Sequence, residues 1–295
     1  MSGRTYGLLL VTIATIIWST AGLFVRMLDL DVWTMLGWRS FFGGATLTLV
    51  AVFQNRTAKT PAAKNPSGLY LAGALLAGIS MFGYIAALKL TSVANVLAIY
   101  ATVPFFAAGI AYAWLGERAE RRVVTASAIA FFGVLIVAGF AVRPQDLGGI
   151  GLALLMTVCL AALMVLVRRY PGVQIAPINA IGSGLCVLLC LPLMSHAIPS
   201  VAELAILAVF GATTSGFAYL LFITGGRYVP AGEAGLIALL DIVLGPVWVW
   251  LAFGENPGLA AVIGGGLILF SLIWYLWSGL RSARAAGAIR AADPA

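Results

Sequence analysis

Long apolar runs constrain this chain more than any other feature of its sequence. Seven runs of 20 or more residues carry no charge: 5–25, 65–88, 90–116, 123–142, 147–167, 204–226 and 256–280. Three more are each interrupted: 32–53 by Arg39, 172–194 by Pro177 and Pro192, and 233–254 by Asp241. A membrane-spanning helix needs about 20 predominantly apolar residues. The sequence therefore predicts an all-α integral membrane protein with ten transmembrane helices, which we number as spans one to ten.

Composition and charge placement agree with this prediction. Only 9% of the residues are charged, against roughly 25% in soluble domains. The formal net charge is +7, but 13 of the 17 Lys and Arg residues fall in segments facing the cytoplasm if the N-terminus does. Positive charge concentrates on the cytoplasmic side of membrane proteins. We therefore expect both termini in the cytoplasm, the bacterial inner membrane as the location, and no nucleic-acid partner.

The two halves of the chain share landmarks. A shift of 138 residues places Gly116-Glu117 on Gly254-Glu255, and a shift of 142 places Arg26 on Arg168. Five helices per half is an odd number, so the second half enters the membrane from the opposite side. Inverted repeats are typical of secondary transporters, whose substrate site lies between the repeats near the midplane. We expect repeats at 1–143 and 144–280, and a cytoplasmic tail at 281–295.

Several motifs resemble one known family. They are the "GER" and "GEN" endings of spans four and nine, "LLDIVLGPVWVWLAFGE" in span nine, and "GLAAVIGGGLIL" in span ten. Together with the five-plus-five arrangement, they resemble the drug/metabolite transporter superfamily, and its EamA-type branch in particular. The resemblance covers essentially the whole chain. It implies a central cavity surrounded by spans one to four and six to nine, and export of amino acids or other metabolites. Family members commonly carry Glu where this chain has Asp241.

Asp241 is the most informative single residue. An aspartate at the centre of a spanning helix costs about 2.5–3.5 kcal/mol on insertion scales, so we expect it to face a cavity or a partner. Arg39 is the obvious partner: the two residues differ in depth by roughly 8 Å in a core about 30 Å thick, which long side chains can bridge. The Arg39 side chain can instead extend to the outer surface. The alternative for Asp241 is a hydrogen bond between helices that only fixes their packing.

Other candidate residues are aromatic, hydroxylic or helix-breaking. Trp and Tyr usually gather at the membrane surface, so aromatic residues deep within spans suggest a cavity lining. The predicted substrate-binding residues are Asp241, Arg39, Trp18, Ser19, Tyr84, Tyr100, Tyr219 and Trp248. The predicted hinges are Pro104 and Pro246, because proline interrupts the hydrogen-bond ladder of a helix. Packing alone is the alternative for each of these residues.

The resulting prediction is a secondary transporter that exports small metabolites, amino acids first, aromatic ones included, by alternating access. Other metabolites, lipophilic cationic drugs, and a receptor or scaffold without transport stay open as alternatives. The partners we expect are a small solute, the lipid bilayer and, in one version of the mechanism, protons. No phosphate-binding G-x-x-x-x-G-K-[ST] motif is present. A serine nucleophile such as Ser183 would need a base within hydrogen-bond reach, and the only histidine, His196, lies in the predicted outer loop after span seven. We therefore predict neither an enzyme nor a cofactor or metal site.

Overall fold

The computed structural model describes residues 3–57, 67–138, 146–195, 198–254, 256 and 258–292. Most of the predicted linker 141–147 lies outside these ranges, as do Lys59, Lys64, Arg143 and Glu255. The described residues form helices and contain no strand. The helices are α1 (Gly3–Ser19), α2 (Ala21–Met27), α3 (Val32–Thr57), α4 (Ser67–Leu90), α5 (Val93–Tyr100), α6 (Val103–Leu115), α7 (Arg121–Ala138), α8 (Leu147–Arg169), α9 (Ile175–Cys190), α10 (Val201–Phe210), α11 (Tyr219–Gly225), α12 (Ala231–Ala238), α13 (Leu240–Phe253) and α14 (Gly258–Ala292).

Nine stretches within the described ranges are long and apolar enough to span a membrane. They coincide with nine of the ten predicted spans. The remaining one, predicted at 123–142, begins as α7, and its continuation at 139–145 lies outside the described residues. The protein is thus a multi-pass membrane protein, while the number ten and the inverted orientation of the halves stay predictions.

Four of the spans depart from a regular α-helix. The first is broken between α1 and α2, the fourth between α5 and α6, and the ninth between α12 and α13, while the eighth contains a π-helical segment, Gly211–Ala218, between α10 and α11. Hydroxyl groups accompany two of the breaks, because Thr20 and Thr102 donate to the carbonyls of Ile17 and Ile99. Such bonds compete with the helical ladder and bend helices. We find no equivalent side-chain cause at Leu239, where the ninth span is broken.

The fourth and ninth spans repeat the same local structure. The limits of α5 and α12 differ by 138 residues, the shift that aligns the sequence motifs. The helices that follow end at Gly116 and Gly254, which have φ of 70° and 69°. Glycine adopts this left-handed conformation without the steric cost other residues bear, and it often terminates helices for that reason.

Small residues let the helices approach closely. A Cβ on Gly264 would lie 2.3 Å from the carbonyl oxygen of Gly133, and one on Gly211 would lie 2.3 Å from that of Arg39. The first pair joins α14 to α7, and the second joins the π-helical segment to α3. Close backbone contact of this kind provides packing between helices in a lipid environment, where the hydrophobic effect does not drive association.

Candidate functional site

A cavity of about 150 Å³ lies within the helix bundle, beside the helix breaks. Its walls include Ala21 at the start of α2, Tyr100 at the end of α5 and Asp241 at the start of α13. The full lining consists of Trp18, Ala21, Leu36, Arg39, Ser40, Ser80, Met81, Tyr84, Leu97, Tyr100, Met156, Leu160, Ser215, Tyr219 and Asp241. The backbone at Thr20, Ala101 and Leu239 keeps right-handed helical dihedrals, so each break is a local turn in the hydrogen-bond ladder and not an unwound segment. All three turns lie beside residues that line the cavity.

Arg39 is held by the π-helical segment and the residue that precedes it. Its Nε donates to the Thr214 hydroxyl at 3.2 Å, and its guanidinium carbon lies 4.6 Å from the centre of the Phe210 ring. A cation over an aromatic face is attracted by the ring's electron density. The side chain is half-buried and lines the cavity, and it does not extend to the surface.

Asp241 lies on another wall, in the first turn of α13. Asp241 is half-buried and lines the same cavity as Arg39. Among the ion pairs of the described residues, none joins Asp241 to Arg39. The cavity therefore holds one acidic and one basic side chain that do not form a direct ion pair with each other.

Four aromatic residues complete the predicted lining. Trp18 donates from its indole nitrogen to the Thr214 carbonyl oxygen at 2.8 Å, and its ring meets that of Tyr219 edge-on at 5.7 Å between centroids. The Tyr219 hydroxyl is buried without a hydrogen-bond partner among the described residues. Tyr84 and Tyr100 line the cavity as well. A buried polar group without a hydrogen-bond partner is costly, so a solute that forms a hydrogen bond with the Tyr219 hydroxyl would bind more tightly.

Ser19 and Trp248 are placed differently from the other six predicted substrate-binding residues. Neither is part of the cavity lining. The Trp248 indole nitrogen donates to the Ser19 hydroxyl at 2.8 Å, and this hydroxyl donates in turn to the Ile16 carbonyl oxygen. Their hydrogen bond ties α13 to the end of α1, next to the first helix break. The hydrogen bond between Ser19 and Trp248 joins two helices beside the cavity. Because neither side chain lines the cavity, their contact with solute stays a prediction.

The two predicted hinges lie at different distances from the breaks. Pro104 is in the first turn of α6, two residues after the turn at Thr102. Pro246 lies inside α13, seven residues after the break at Leu239, and the helix continues through it. A hinge role for either proline stays a prediction.

Several lining residues gave no signal in the sequence. Ser40, Ser80 and Ser215 bring hydroxyls to the cavity, and Met81 and Met156 bring thioethers. Serine and methionine occur throughout spanning helices, so their types alone do not distinguish a lining position from a packed one. The three cysteines are buried free thiols, and the described residues contain no cluster of three or more His, Cys, Asp or Glu side chains suited to a metal ion.

Glu233 is a second acidic residue within a spanning segment, and it was not among the predicted site residues. It is fully buried in α12 and pairs with Arg4 at 2.9 Å. The sequence did contain a signal, because Glu233 is an acid at the third position of an otherwise apolar spanning segment, although its insertion cost is below that of Asp241 near the helix centre. It was missed because it lies at the predicted limit of the span.

Broken spanning helices around a partly polar cavity define a class, the membrane transporters with discontinuous helices. A sequence model described as the EamA-like transporter family matches residues 5–139 and 147–277. The chain therefore belongs to the EamA-like transporter family. A crystal structure described only as that of a protein is similar, with a TM-score of 0.77 and 20% identity over 91% of this chain and 96% of the other. At that identity the likeness concerns the fold. No curated protein matches the chain.

Proposed function

We propose that this protein exports amino acids, aromatic ones among them, across the bacterial inner membrane by alternating access. The observation that carries the proposal is the pair of opposite charges, Arg39 and Asp241, on the walls of one cavity lined by four aromatic residues. An amino acid carries a carboxylate for Arg39 and an ammonium group for Asp241. The rings of Trp18, Tyr84 and Tyr219 would receive its side chain.

The size of the cavity supports a small solute. A cavity of about 150 Å³ in another protein takes up a benzene-sized molecule, and the cavity here has about the same volume. Ligand sites combine apolar walls with a few polar groups that fix orientation. A lipophilic cation is a weaker fit, because Arg39 places positive charge in the same low-dielectric space.

The proposed orientation follows from the basic residues. Arg4, Arg121, Arg169 and Arg227 lie at ends of helices on one side of the bundle, the side we assign to the cytoplasm. The proposed two inverted repeats are supported by the two separate matches to the family model and by the common structure of the fourth and ninth spans. Alternating access then consists of the cavity opening in turn to each side.

Flux in proteoliposomes tests this function. The purified chain is reconstituted and loaded with unlabelled phenylalanine, and exchange is measured against labelled amino acids, nucleosides and lipophilic cations. We expect exchange of amino acids above the rate in protein-free liposomes. Exchange of lipophilic cations or nucleosides alone would favour another substrate class, and flux of no solute would favour a receptor or scaffold.

A further inference from the structure

We propose that two ion pairs, Arg4–Glu233 and Glu117–Arg168, hold one end of the bundle closed and separate when the cavity opens there. We call this end, which contains those four residues, the Arg4 end. The proposal rests on the proposed transport function, because alternating access requires the cavity to open at both ends. These four are positioning residues, since none of them lines the cavity.

Each pair joins the two halves of the chain. The Nη2 atom of Arg4 lies 2.9 Å from Oε1 of Glu233, which connects the start of α1 to the start of α12. The Nη2 atom of Arg168 lies 2.9 Å from Oε1 of Glu117, which connects the end of α8 to the residues after α6. The Arg168 side chain also donates to the Val229 carbonyl oxygen, just before α12. Both pairs therefore meet where the fourth and ninth spans reach this end.

The contact between the fourth and ninth spans is shielded from solvent. All eight residues of α12 are buried. A Cβ on Gly235 would lie 3.1 Å from Cα of Pro104, so α12 packs directly on the start of α6. Glu233 is fully buried, and its Oε2 atom has no hydrogen-bond partner among the described residues. Arg4 thus supplies the compensating charge for a carboxylate that is shielded from water.

The opposite half of the ninth span is in a different environment. In α13 the one buried residue is Ile242, and Asp241 keeps partial exposure through the cavity. The described residues of α13 do not pack on α5 in the way that α12 packs on α6. The ninth span is accordingly enclosed by other helices along α12 and less enclosed along α13.

An ion pair that is only partly buried suits a contact that must open and close. Glu233 is buried, but the Arg4 side chain is 52% exposed, and the Arg168 and Glu117 side chains are 20% and 38% exposed. Solvent screening of the exposed charges and desolvation of Glu233 both reduce the Coulomb attraction, so the net contribution of each pair is small. When the end opens and water enters, the separated charges regain hydration. Two apolar side chains in the same place would gain no favourable hydration when the end opens to water. The ion pairs thus hold the end shut without making its opening prohibitively costly.

A thiol-accessibility experiment separates this role from general stabilisation. Ser80 lines the cavity, so a Ser80→Cys variant reports whether an impermeant maleimide reaches the cavity from the Arg4 end of oriented vesicles. The natural cysteines are buried, and the parent chain without Ser80→Cys measures their background. Glu120→Gln is the matched control, because the Arg122–Glu120 pair lies at the same end but within one half.

We expect Glu233→Gln and Arg168→Gln to raise the labelling rate from the Arg4 end about tenfold, as loss of a charge-assisted contact shifts a two-state population. Glu120→Gln should leave the rate unchanged. The double variant Arg4→Met/Glu233→Leu should label more slowly than the parent and lose flux while remaining folded.

Unchanged labelling in Glu233→Gln and Arg168→Gln would overturn the proposal, as would an equal increase in the labelling rate of Glu120→Gln. Increased labelling in a chain that transports none of the tested solutes would support the closure and refute the transport function.

Discussion

Arg39 and Asp241 line one cavity without forming a direct ion pair. Thr214 and the Phe210 ring hold the guanidinium group of Arg39 in place before a solute arrives. Pre-arranged polar groups reduce the ordering cost of binding.

Removal of the carboxylate tests its role directly. Asp241→Asn keeps the size of the side chain and should reduce amino-acid exchange about 10- to 100-fold, which corresponds to a charge-assisted hydrogen bond of about 1.5–3 kcal/mol. If Asp241 instead carries a coupled proton, exchange persists and accumulation driven by a pH gradient is lost. Both are measured in proteoliposomes, with Asp241→Glu as the control that keeps the charge. Wild-type rate and pH dependence in Asp241→Asn would reduce Asp241 to a packing residue.

Arg39 should recognise the other end of the solute. In the wild-type protein, phenylalanine should compete for exchange better than phenethylamine, which lacks the carboxylate. In Arg39→Gln, we expect this preference to fall about tenfold or more, because the contact with the carboxylate is lost. Competition curves with the two compounds measure the preference. A preference that is the same in both proteins would place the carboxylate away from Arg39.

Residue types determined which parts of the cavity could be predicted from sequence. Asp241 and Arg39 stood out because charges in an apolar span are costly, and Trp18 stood out because tryptophan is unusual at that depth. Ser80 and Met156 are common in any spanning helix and could not be distinguished. Helix periodicity gives the face on which Trp248 lies but does not show that Ser19 accepts its hydrogen bond, and a contact of Trp248 with solute stays a prediction.

At the scale of helices, the breaks and the close α6–α12 contact form the centre of the bundle. The break at Thr102 could be anticipated, because Pro104 follows it and cannot donate to the preceding turn. The break at Leu239 could not, since the local sequence "IALLDIV" reads as a regular helix. The close α6–α12 contact could not be predicted either, because it joins Gly235 to Pro104, which are distant in the sequence.

A bulky residue at this contact should separate the helices. Gly235→Val places side-chain atoms against the backbone of Pro104, and overpacking of this kind costs about 1–3 kcal/mol. We expect a melting temperature in detergent several degrees below that of the wild type. Gly109→Val is the matched control, because a Cβ there meets nothing within 4 Å. Equal melting temperatures for the two variants would contradict the close contact.

At the scale of the whole molecule, the distribution of charge implies one orientation in the membrane. A cysteine at Arg121, at the start of α7, should react with an impermeant maleimide only from the cytoplasmic side. A cysteine at Ile198, which is 82% exposed, should react only from the outside. Right-side-out and inverted vesicles provide the comparison. Reaction of both positions from the same side would contradict the predicted topology, and exchanged sides would reverse the orientation.

The spans follow from apolar runs in the sequence that extend over tens of residues, and the family follows from the resemblance of a few motifs. The particular solute follows from neither, because it depends on the relative positions of a few side chains. A cryo-electron microscopy structure with a transported amino acid bound tests the central claim most directly. We predict the carboxylate at Arg39, the ammonium group at Asp241 and the side chain among Trp18, Tyr84 and Tyr219. A solute bound outside this cavity, or one that contacts neither charge, would contradict the account.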